Sequence, residues 1–186
     1  MTLAVIDAQH VFADAGSPWG APRFEAIVDP VRALVEAHAD DAVFTRFVSP
    51  GTPSGAWRAY YEVWPFALQP PDAALWDVVP GLADAAARVP GVDGRGGTLD
   101  LPTFGKWGPA LAALAEPGGE LVLAGVSTDC CVISTALAAA DSGVQVVVVE
   151  EACAGSDDAN HAKALDVMRL YAPLVQVVPL DEALRR

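Results

Sequence analysis

Two adjacent cysteines, Cys130 and Cys131, stand where a strand is predicted to turn into a helix. The preceding run Leu121–Ala124 is apolar, has the length of a buried strand and is interrupted at Gly125. Ser, Thr, Ala and Leu follow at helical spacing after Asp129. A strand, a sharp turn and a helix would lift one side chain clear of a parallel sheet. A thiol at a helix N-terminus feels the positive end of the helix dipole, so we expect a lowered pKa and a nucleophilic thiolate.

A cysteine nucleophile needs a proton acceptor or a positive neighbour, and donors for the oxyanion that forms on the substrate. Asp7 ends the apolar run Thr2–Ile6, which we interpret as a central strand, and ligands bind at the carboxyl ends of parallel strands. The alternative role for Asp7 is a helix N-cap. Lys106, one of only two lysines, stands in a predicted loop. None of the 3 histidines is well placed for a papain-like Cys–His pair.

The elements that must position these residues alternate between strands and helices. Continuous apolar runs predict buried strands, and apolar residues at spacings of three and four predict amphipathic helices. The predicted strands are Thr2–Ile6, Asp41–Val48, Thr98–Leu101, Leu121–Ala124, Val144–Val149 and Leu174–Val178. The predicted helices are Arg23–Ala39, Leu82–Val89, Pro109–Ala115, the one that begins at the cysteines, Ala159–Tyr171 and Leu180–Leu184. This pattern predicts an α/β fold, a Rossmann-like three-layer α/β/α sandwich around a mostly parallel central sheet.

Composition limits the class of protein. The 186 residues, 53% of them hydrophobic, predict a single domain over 1–186 with a real core, since no linker, repeat or composition break is present. A net charge of −13 argues against nucleic acid or an anionic membrane as partner and suits a small-molecule substrate. No apolar run reaches the ~20 residues of a membrane span. With no signal peptide at the N-terminus, we expect a cytoplasmic protein.

Several other site types are disfavoured. The 3 cysteines show no CxxC spacing, so neither a disulfide framework nor a zinc knuckle is indicated. No GxGxxG follows the first strand, which argues against dinucleotide binding. A glycine-rich turn is predicted over Gly91–Gly97, but it lacks the Gly-Lys-Ser/Thr ending of a phosphate loop. A loop is predicted over Glu150–Asp158.

Three segments carry a resemblance that covers nearly the whole chain in order. VIDAQHVF near the start, FTRF in the second strand and AGVSTDCCVISTA resemble the isochorismatase-like cysteine hydrolases, which include nicotinamidases, N-carbamoylsarcosine amidohydrolases and isochorismatases. The Asp-x-Gln of that family is matched by Asp7 and Gln9. Its pattern Gly-Val-x-Thr-x-x-Cys-Val is matched by Gly125, Val126, Thr128, Cys131 and Val132.

The resemblance implies a role for each of these residues. Cys131, directly before the valine, would be the nucleophile, and Cys130 would occupy a variable position as a small buried or half-buried filler. The backbone N–H groups of Ser127 and Cys131 would form the oxyanion hole, and the Val126–Ser127 bond is commonly cis in the family. Asp7 would be the general base of a reaction that proceeds through a thioester and needs no cofactor. Members commonly form dimers or tetramers, so a homo-oligomer is expected.

The sequence departs from the family pattern in two ways. Many relatives carry a lysine at the end of the third strand, but here the only lysine in that region is Lys106 in the following loop. Either Lys106 enters the site from that loop, or the site has no lysine and Lys106 is a solvated loop residue. The Asp-x-His pair of nicotinamidases is also missing after the second strand, so no metal site is expected and nicotinamidase activity is disfavoured. Arg46 stands near that position and could bind a substrate carboxylate or pair with Asp7 or Glu62.

The resemblance thus implies a metal-independent cysteine hydrolase that cleaves a small amide or ureide-type C–N bond. The alternatives are a catalytically silent small-molecule-binding protein on the same fold and an isochorismatase-type vinyl-ether hydrolase. Aromatic residues crowd positions 57–66, where they form either a lid on the core or a pocket wall. The residues predicted to line the substrate pocket are Gln9, Phe12, Arg46, Phe47, Trp57, Trp64 and Trp107.

Overall fold

The computed structural model describes residues 1–92, 97–115 and 119–186. The glycine-rich turn predicted over Gly91–Gly97 therefore lies outside the described residues at positions 93–96. A single six-stranded sheet runs through the described part of the chain, in the order β3-β2-β1-β4-β5-β6. All neighbouring strands of this sheet pair in parallel. The strands are β1 (Thr2–Ile6), β2 (Ala42–Phe47), β3 (Thr98–Leu101), β4 (Glu120–Val126), β5 (Gln145–Ala154) and β6 (Val175–Val178).

Helices cover both faces of the sheet, because the strands are apolar on both faces. In β1, Leu3 and Val5 belong to the core beneath one helical layer, whereas Ala4 and Ile6 belong to the core beneath the other. The predicted three-layer α/β/α sandwich is confirmed. The helices are α1 (His10–Ala13), α2 (Phe24–Ala37), α3 (Trp57–Val63), α4 (Pro80–Arg88), α5 (Pro109–Ala112), α6 (Ile133–Asp141), α7 (Asp158–Arg169) and α8 (Leu180–Ala183).

The strand order places the candidate site. Strand β1 lies between β2 and β4, so the connections from β1 and from β4 leave the sheet side by side. Ile6 is in register with Gly125, which brings Asp7 next to the residues that follow β4. In open parallel sheets, ligands bind in the crevice at such a switch point, beyond the carboxyl ends of the strands.

Strand β5 is longer than predicted. It continues past Val149 to Ala154, so the loop predicted over Glu150–Asp158 is wrong for its first half. The pairing of β5 with β4 shifts register between Leu123 and Gly125, and Gly125 pairs with Cys153. This irregularity accommodates Glu150 and Glu151, after which β5 continues with buried residues. Within the part of the chain that the structure describes, no helix has both the length and the apolar character needed to cross a membrane.

Candidate active site

Asp7 follows β1 directly, and its side chain is fully buried. Its φ of 49° lies in the left-handed region, which Asp adopts more readily than most residues. The Asp7 N–H donates to Thr45 Oγ1 over 3.2 Å, and the Thr45 hydroxyl donates to Asp7 Oδ1 over 2.7 Å. No side chain caps α1, so the helix N-cap alternative for Asp7 is wrong. Thr45 instead fixes both the backbone and the carboxylate of Asp7.

Lys106 reaches Asp7 from the loop that follows β3. Its side chain is fully buried, with Nζ 2.9 Å from Asp7 Oδ2 and donating to the carbonyl oxygen of Thr103 over 2.7 Å. Nζ also lies 5.1 Å from the centroid of the Phe47 ring. Because an unpaired ammonium is very costly to bury, these partners explain how the charge is tolerated. The solvated-loop alternative for Lys106 is therefore wrong.

A glycine allows the turn after β4 to approach β1. Gly125 has a φ of 108°, and a Cβ built there would overlap the backbone of Ile6. The peptide bond between Val126 and Ser127 is cis. The chain then makes a π-helical turn, Thr128–Val132, before α6 begins. Cys131 thus lies in a wide turn and not in regular helix.

The Cys131 thiol is almost fully buried, with 2% of the residue exposed. Burial and the negative charge of Asp7 raise the pKa of this thiol well above its ordinary value, and the positive charge of Lys106 acts in the opposite direction. The lowered pKa expected from the helix dipole is therefore wrong, because the thiol is removed from water and faces a carboxylate. At neutral pH the sulfur holds its proton, and a nucleophilic attack requires a base.

The second carboxylate oxygen of Asp7 is suited to accept that proton. Oδ1 is held by Thr45, whereas Oδ2 has no well-aligned hydrogen bond to any described residue, although Lys106 Nζ is 2.9 Å away. Buried oxygen atoms are rarely left without a hydrogen bond. Because the Asp7 carboxylate lies next to the Cys131 thiol, its free lone pair can accept the thiol proton.

Further hydrogen bonds tie the surrounding elements to the turn that carries Cys131. The Lys106 N–H donates to Thr135 Oγ1 over 2.9 Å, and the Thr135 hydroxyl donates to the carbonyl oxygen of Cys131 over 2.7 Å. On the other side, His161 Nδ1 lies 2.9 Å from Thr128 Oγ1, so this histidine braces the turn from α7. The loop that carries Lys106 and the turn that carries Cys131 are thereby connected through the Thr135 hydroxyl.

A cavity of about 510 Å³ opens beside Cys131. It is lined by three of the predicted pocket residues, Phe12, Phe47 and Trp64, and by both residues of the predicted oxyanion hole, Ser127 and Cys131. The other lining residues are Pro18, Trp19, Gly20, Tyr60, Phe104, Cys130 and Ser156.

Two polar residues predicted to line the pocket have other partners. The Gln9 amide donates to the carbonyl oxygens of Phe47 and Trp76 and accepts from the Phe47 N–H, so it braces the end of β2 from behind the cavity. Arg46 makes two hydrogen bonds to Asp100, of 2.9 and 2.6 Å, and pairs with neither acid considered above. Consecutive strand residues point to opposite faces of a sheet, so Arg46 points to the face opposite that of Thr45.

Three further expectations are corrected. Trp57 lies behind the cavity wall, with its ring centroid 5.2 Å from that of Phe104. Trp107 points toward α6, where its Nε1 donates to Ser142 Oγ over 2.8 Å, so it does not line the cavity. Cys130 is exposed and lines the cavity, so the buried-filler expectation for it is wrong.

Sequence reasoning missed Thr45 and Trp19. Apart from the neighbouring Arg46, Thr45 is the only polar residue of β2. A polar residue in an apolar strand was the signal that could have indicated a role at the site. Trp19 lies in an irregular loop rich in Gly and Pro, where no periodicity indicates which way a side chain points. In the described residues, no group of three or more His, Cys, Asp or Glu side chains is arranged to hold a metal ion.

The chain is similar to known proteins in sequence pattern and in fold. The family model for the Isochorismatase domain matches residues 1–179. A cysteine hydrolase from Pseudomonas syringae pv. phaseolicola superposes with a TM-score of 0.78 at 16% identity, covering 99% of this chain and 90% of that one. No curated protein matches the chain.

Two other solved structures carry names of specific amidases. An N-carbamoylsarcosine amidase from Thermoplasma acidophilum has a TM-score of 0.71 at 19% identity, covering 97% of this chain and 98% of its own. A nicotinamidase from Bacillus subtilis has a TM-score of 0.71 at 19% identity, covering 96% and 99%. At such identities the likeness shows the shared fold alone.

Proposed function

The chain belongs to the isochorismatase family of hydrolases, and from that premise we propose that it is a cysteine hydrolase that cleaves a small amide or ureide C–N bond without a metal ion. One observation carries the proposal. The fully buried pair of Asp7 and Lys106 lies against the Cys131 thiol at the floor of a cavity. A buried base, a cation and a thiol beside a cavity are the groups that acyl transfer requires.

Asp7 and Cys131 share the first half of the reaction. Oδ2 of Asp7 takes the thiol proton as the sulfur attacks the substrate carbonyl carbon, and the carbonyl electron pair moves to oxygen. The backbone N–H groups of Ser127 and Cys131 are the proposed donors to this oxyanion. As the pair returns, the C–N bond breaks, and Asp7 passes its proton to the leaving nitrogen. The product of this half is a Cys131 thioester and a free amine.

Water completes the cycle. Asp7, again a carboxylate, removes a proton from a water molecule that attacks the thioester carbonyl. The C–S bond then breaks, and the sulfur regains its proton from Asp7. The Lys106 ammonium, which lies 2.9 Å from Oδ2, offsets the negative charge that moves between Asp7 and the sulfur.

The silent binding alternative drew its support from the missing third-strand lysine. The position of Lys106 beside Asp7 removes that support, since the cation arrives from the next loop instead.

Turnover of an amide panel by three proteins tests the function. Cys131→Ser should lower kcat/KM by at least about 1,000-fold, since a serine hydroxyl is a far weaker nucleophile than a cysteine thiol at neutral pH. Cys130→Ser is the matched control and should stay within about threefold, because its sulfur takes no part in the chemistry. Mass spectrometry of quenched reactions should show the acyl group on Cys131. Comparable losses in both variants, with melting curves unchanged, would show that the nucleophile is wrongly assigned.

A further inference from the structure

A second cavity, of about 450 Å³, lies outside the proposed catalytic site. It is lined by residues of α2, β5 and α7 and shares no residue with the cavity beside Cys131. We propose that this second cavity binds a small organic ammonium ion and that its occupancy acts on the turn that carries Cys131. The binding is independent of the proposed function.

The second cavity lies where β5 runs past the edge strand of the sheet. Val149 of β5 pairs with Val178, the last residue of β6, and β5 then continues to Ala154. Within the described residues, no strand pairs with this extension on the side that β6 leaves. The edge of a strand presents backbone carbonyl oxygens and N–H groups that a ligand can bind. The cavity therefore follows from the unequal lengths of β5 and β6.

Helix α2 supplies the apolar side of the second cavity through Ala26, Ile27 and Pro30, which lie on one side of the helix. Cys153 of β5 also lines the cavity and is only 5% exposed, so the cavity reaches down to the buried sheet. The apolar body of a ligand would displace water from these side chains.

The charged residues of the lining favour a cation. Three acids, Glu150, Glu151 and Asp158, line the cavity together with a single arginine, Arg23. Arg23 makes two hydrogen bonds to Asp158, and Glu150 pairs with Arg169, which lies outside the lining. A ligand anion would therefore lose its hydration without gaining a free cation.

Glu151 is the carboxylate that these ion pairs leave available. Within the described part of the chain it has no cation as partner, and its Oε2 accepts from the Leu180 N–H over 2.8 Å. A carboxylate can accept roughly four hydrogen bonds, so Glu151 keeps capacity for a ligand. An ammonium group has only donors, which match this carboxylate and the carbonyl oxygens of the strand edge. Acids, strand edge and apolar side together fit a molecule with a cationic head and an apolar body.

His161 connects the second cavity to the turn that carries Cys131. It lines the cavity from α7, and its Nδ1 lies 2.9 Å from Oγ1 of Thr128, the first residue of the π-helical turn. A ligand in the second cavity thus contacts a residue that also contacts the turn. Because coupling between two sites is reciprocal, a ligand that acts on this turn should change the behaviour of the Cys131 thiol.

Three compounds of nearly the same shape test the ligand class. Cyclopentylammonium, cyclopentanol and cyclopentanecarboxylate share one ring and differ in charge. Titrations followed by nuclear magnetic resonance at about 150 mM salt limit the general attraction of a cation to a protein with a net charge of −13. We expect the ammonium ion to bind at least about tenfold more tightly than the alcohol or the carboxylate. Equal affinity for the ammonium ion and the alcohol overturns the inference.

Two pairs of variants locate the binding. Glu151→Gln should weaken binding of cyclopentylammonium at least about fivefold, whereas Glu36→Gln, at an exposed acid of α2 outside the lining, makes the same change in net charge and should stay within about twofold. Ala26→Phe places a ring in the cavity from an exposed position and should abolish binding, while Ala37→Phe, also exposed on α2, should not. Equal losses within either pair overturn the inference.

Alkylation of Cys131 measures the coupling without requiring turnover. In Cys130→Ser, saturating cyclopentylammonium should change the rate of reaction with iodoacetamide at least about twofold, and adding Ala26→Phe should remove the change. An unchanged rate at full occupancy refutes the coupling. A change that persists with Ala26→Phe would place the ammonium ion beside Cys131 and refute the second site. Binding and coupling in a protein that hydrolyses no amide would refute the proposed function and keep this inference.

Discussion

Thr45 orients Asp7 through two hydrogen bonds made by a single hydroxyl group. Its hydroxyl accepts from the Asp7 N–H and donates to Oδ1, so one side chain stabilises a left-handed backbone and orients a buried carboxylate. Oδ2 is thereby left to face Lys106, and the same carboxylate interacts with the Cys131 thiol. Thr45 is thus a positioning residue that acts through Asp7.

Replacing this hydroxyl tests that role. Thr45→Val keeps the shape of the side chain but removes both hydrogen bonds, and we expect kcat/KM to fall about 10- to 100-fold. The loss should fall on kcat, with KM changed by less than about threefold, because the hydroxyl orients Asp7 and does not line the cavity beside Cys131. Thr45→Ser keeps the hydroxyl and should restore kcat to near the starting value. A loss of stability with an unchanged kcat in Thr45→Val would contradict the positioning role.

The thiol of Cys131 gives a second prediction at this scale. Its raised pKa means that the neutral form persists at a pH where a free cysteine, with a pKa near 8.5, is already ionised. Alkylation of Cys131 by iodoacetamide should therefore be slower than that of free cysteine at pH 7 and should still be rising above about pH 9. The measurement is a rate-against-pH series on Cys130→Ser, with the labelled peptide identified by mass spectrometry. A rate that levels off below pH 8 would show a lowered pKa instead.

The element on which the site depends most is the turn between β4 and α6. Gly125 brings this turn against β1, and the π-helical turn Thr128–Val132 then presents the Cys131 thiol beside Asp7. Residues from the β3 loop and from α7 brace the turn through Thr135 and Thr128. The relative position of Cys131 and Asp7, the proposed nucleophile and base, is thus set by the closeness of two neighbouring strands.

A methyl group at Gly125 should disrupt that closeness. Gly125→Ala adds a Cβ against the backbone of Ile6 at a φ of 108°, and we expect the free energy of unfolding to fall by at least about 3 kcal/mol. Gly143→Ala is the control, since Gly143 has a φ of 86° but no atom within 4 Å of the added Cβ, and it should cost about 1 kcal/mol. Urea denaturation of both variants gives the comparison. Similar losses would mean that backbone strain, and not the overlap with Ile6, governs the position.

The whole molecule is organised around one sheet that has a buried core on each face. Both cores are built on the same central strands, so a helical layer that loses its packing exposes one apolar face of the strands on which the other core also depends. This sharing predicts that residues 1–186 behave as one domain.

Unfolding measured by two probes tests this prediction. Far-ultraviolet circular dichroism follows the helices, and tryptophan fluorescence follows the aromatic residues around the cavity. We expect the two urea transitions to coincide, with one midpoint and one slope, because the layers lose their packing together. Two separated transitions would show independent units. The homo-oligomer implied by the family stays a prediction, and sedimentation velocity across a range of concentrations measures it.

The sequence by itself determined the fold class and the position of most strands, and its family resemblance supplied the two residues that we propose to react. Apolar runs and periodic spacing are local properties, so β1 and β3 have their predicted bounds. The motif around Cys131 is likewise contiguous, and its match to the family pattern distinguishes this cysteine from Cys130. Asp7 stands at the end of a central strand, which is again a local feature, and the resemblance implies its role as the base.

Only the tertiary structure decided what surrounds those residues. Lys106 is 99 positions from Asp7 along the chain, and nothing in the spacing shows that its ammonium group lies 2.9 Å from the carboxylate. The pKa of Cys131 moves opposite to the expected direction because burial and the negative charge of Asp7 raise it, while only Lys106 acts to lower it. Trp19, from an irregular loop, lines the cavity beside Cys131, whereas Arg46 does not line it and pairs with Asp100. Each of these outcomes depends on distances between segments remote in sequence and on exclusion of water, which exist only once the chain has packed.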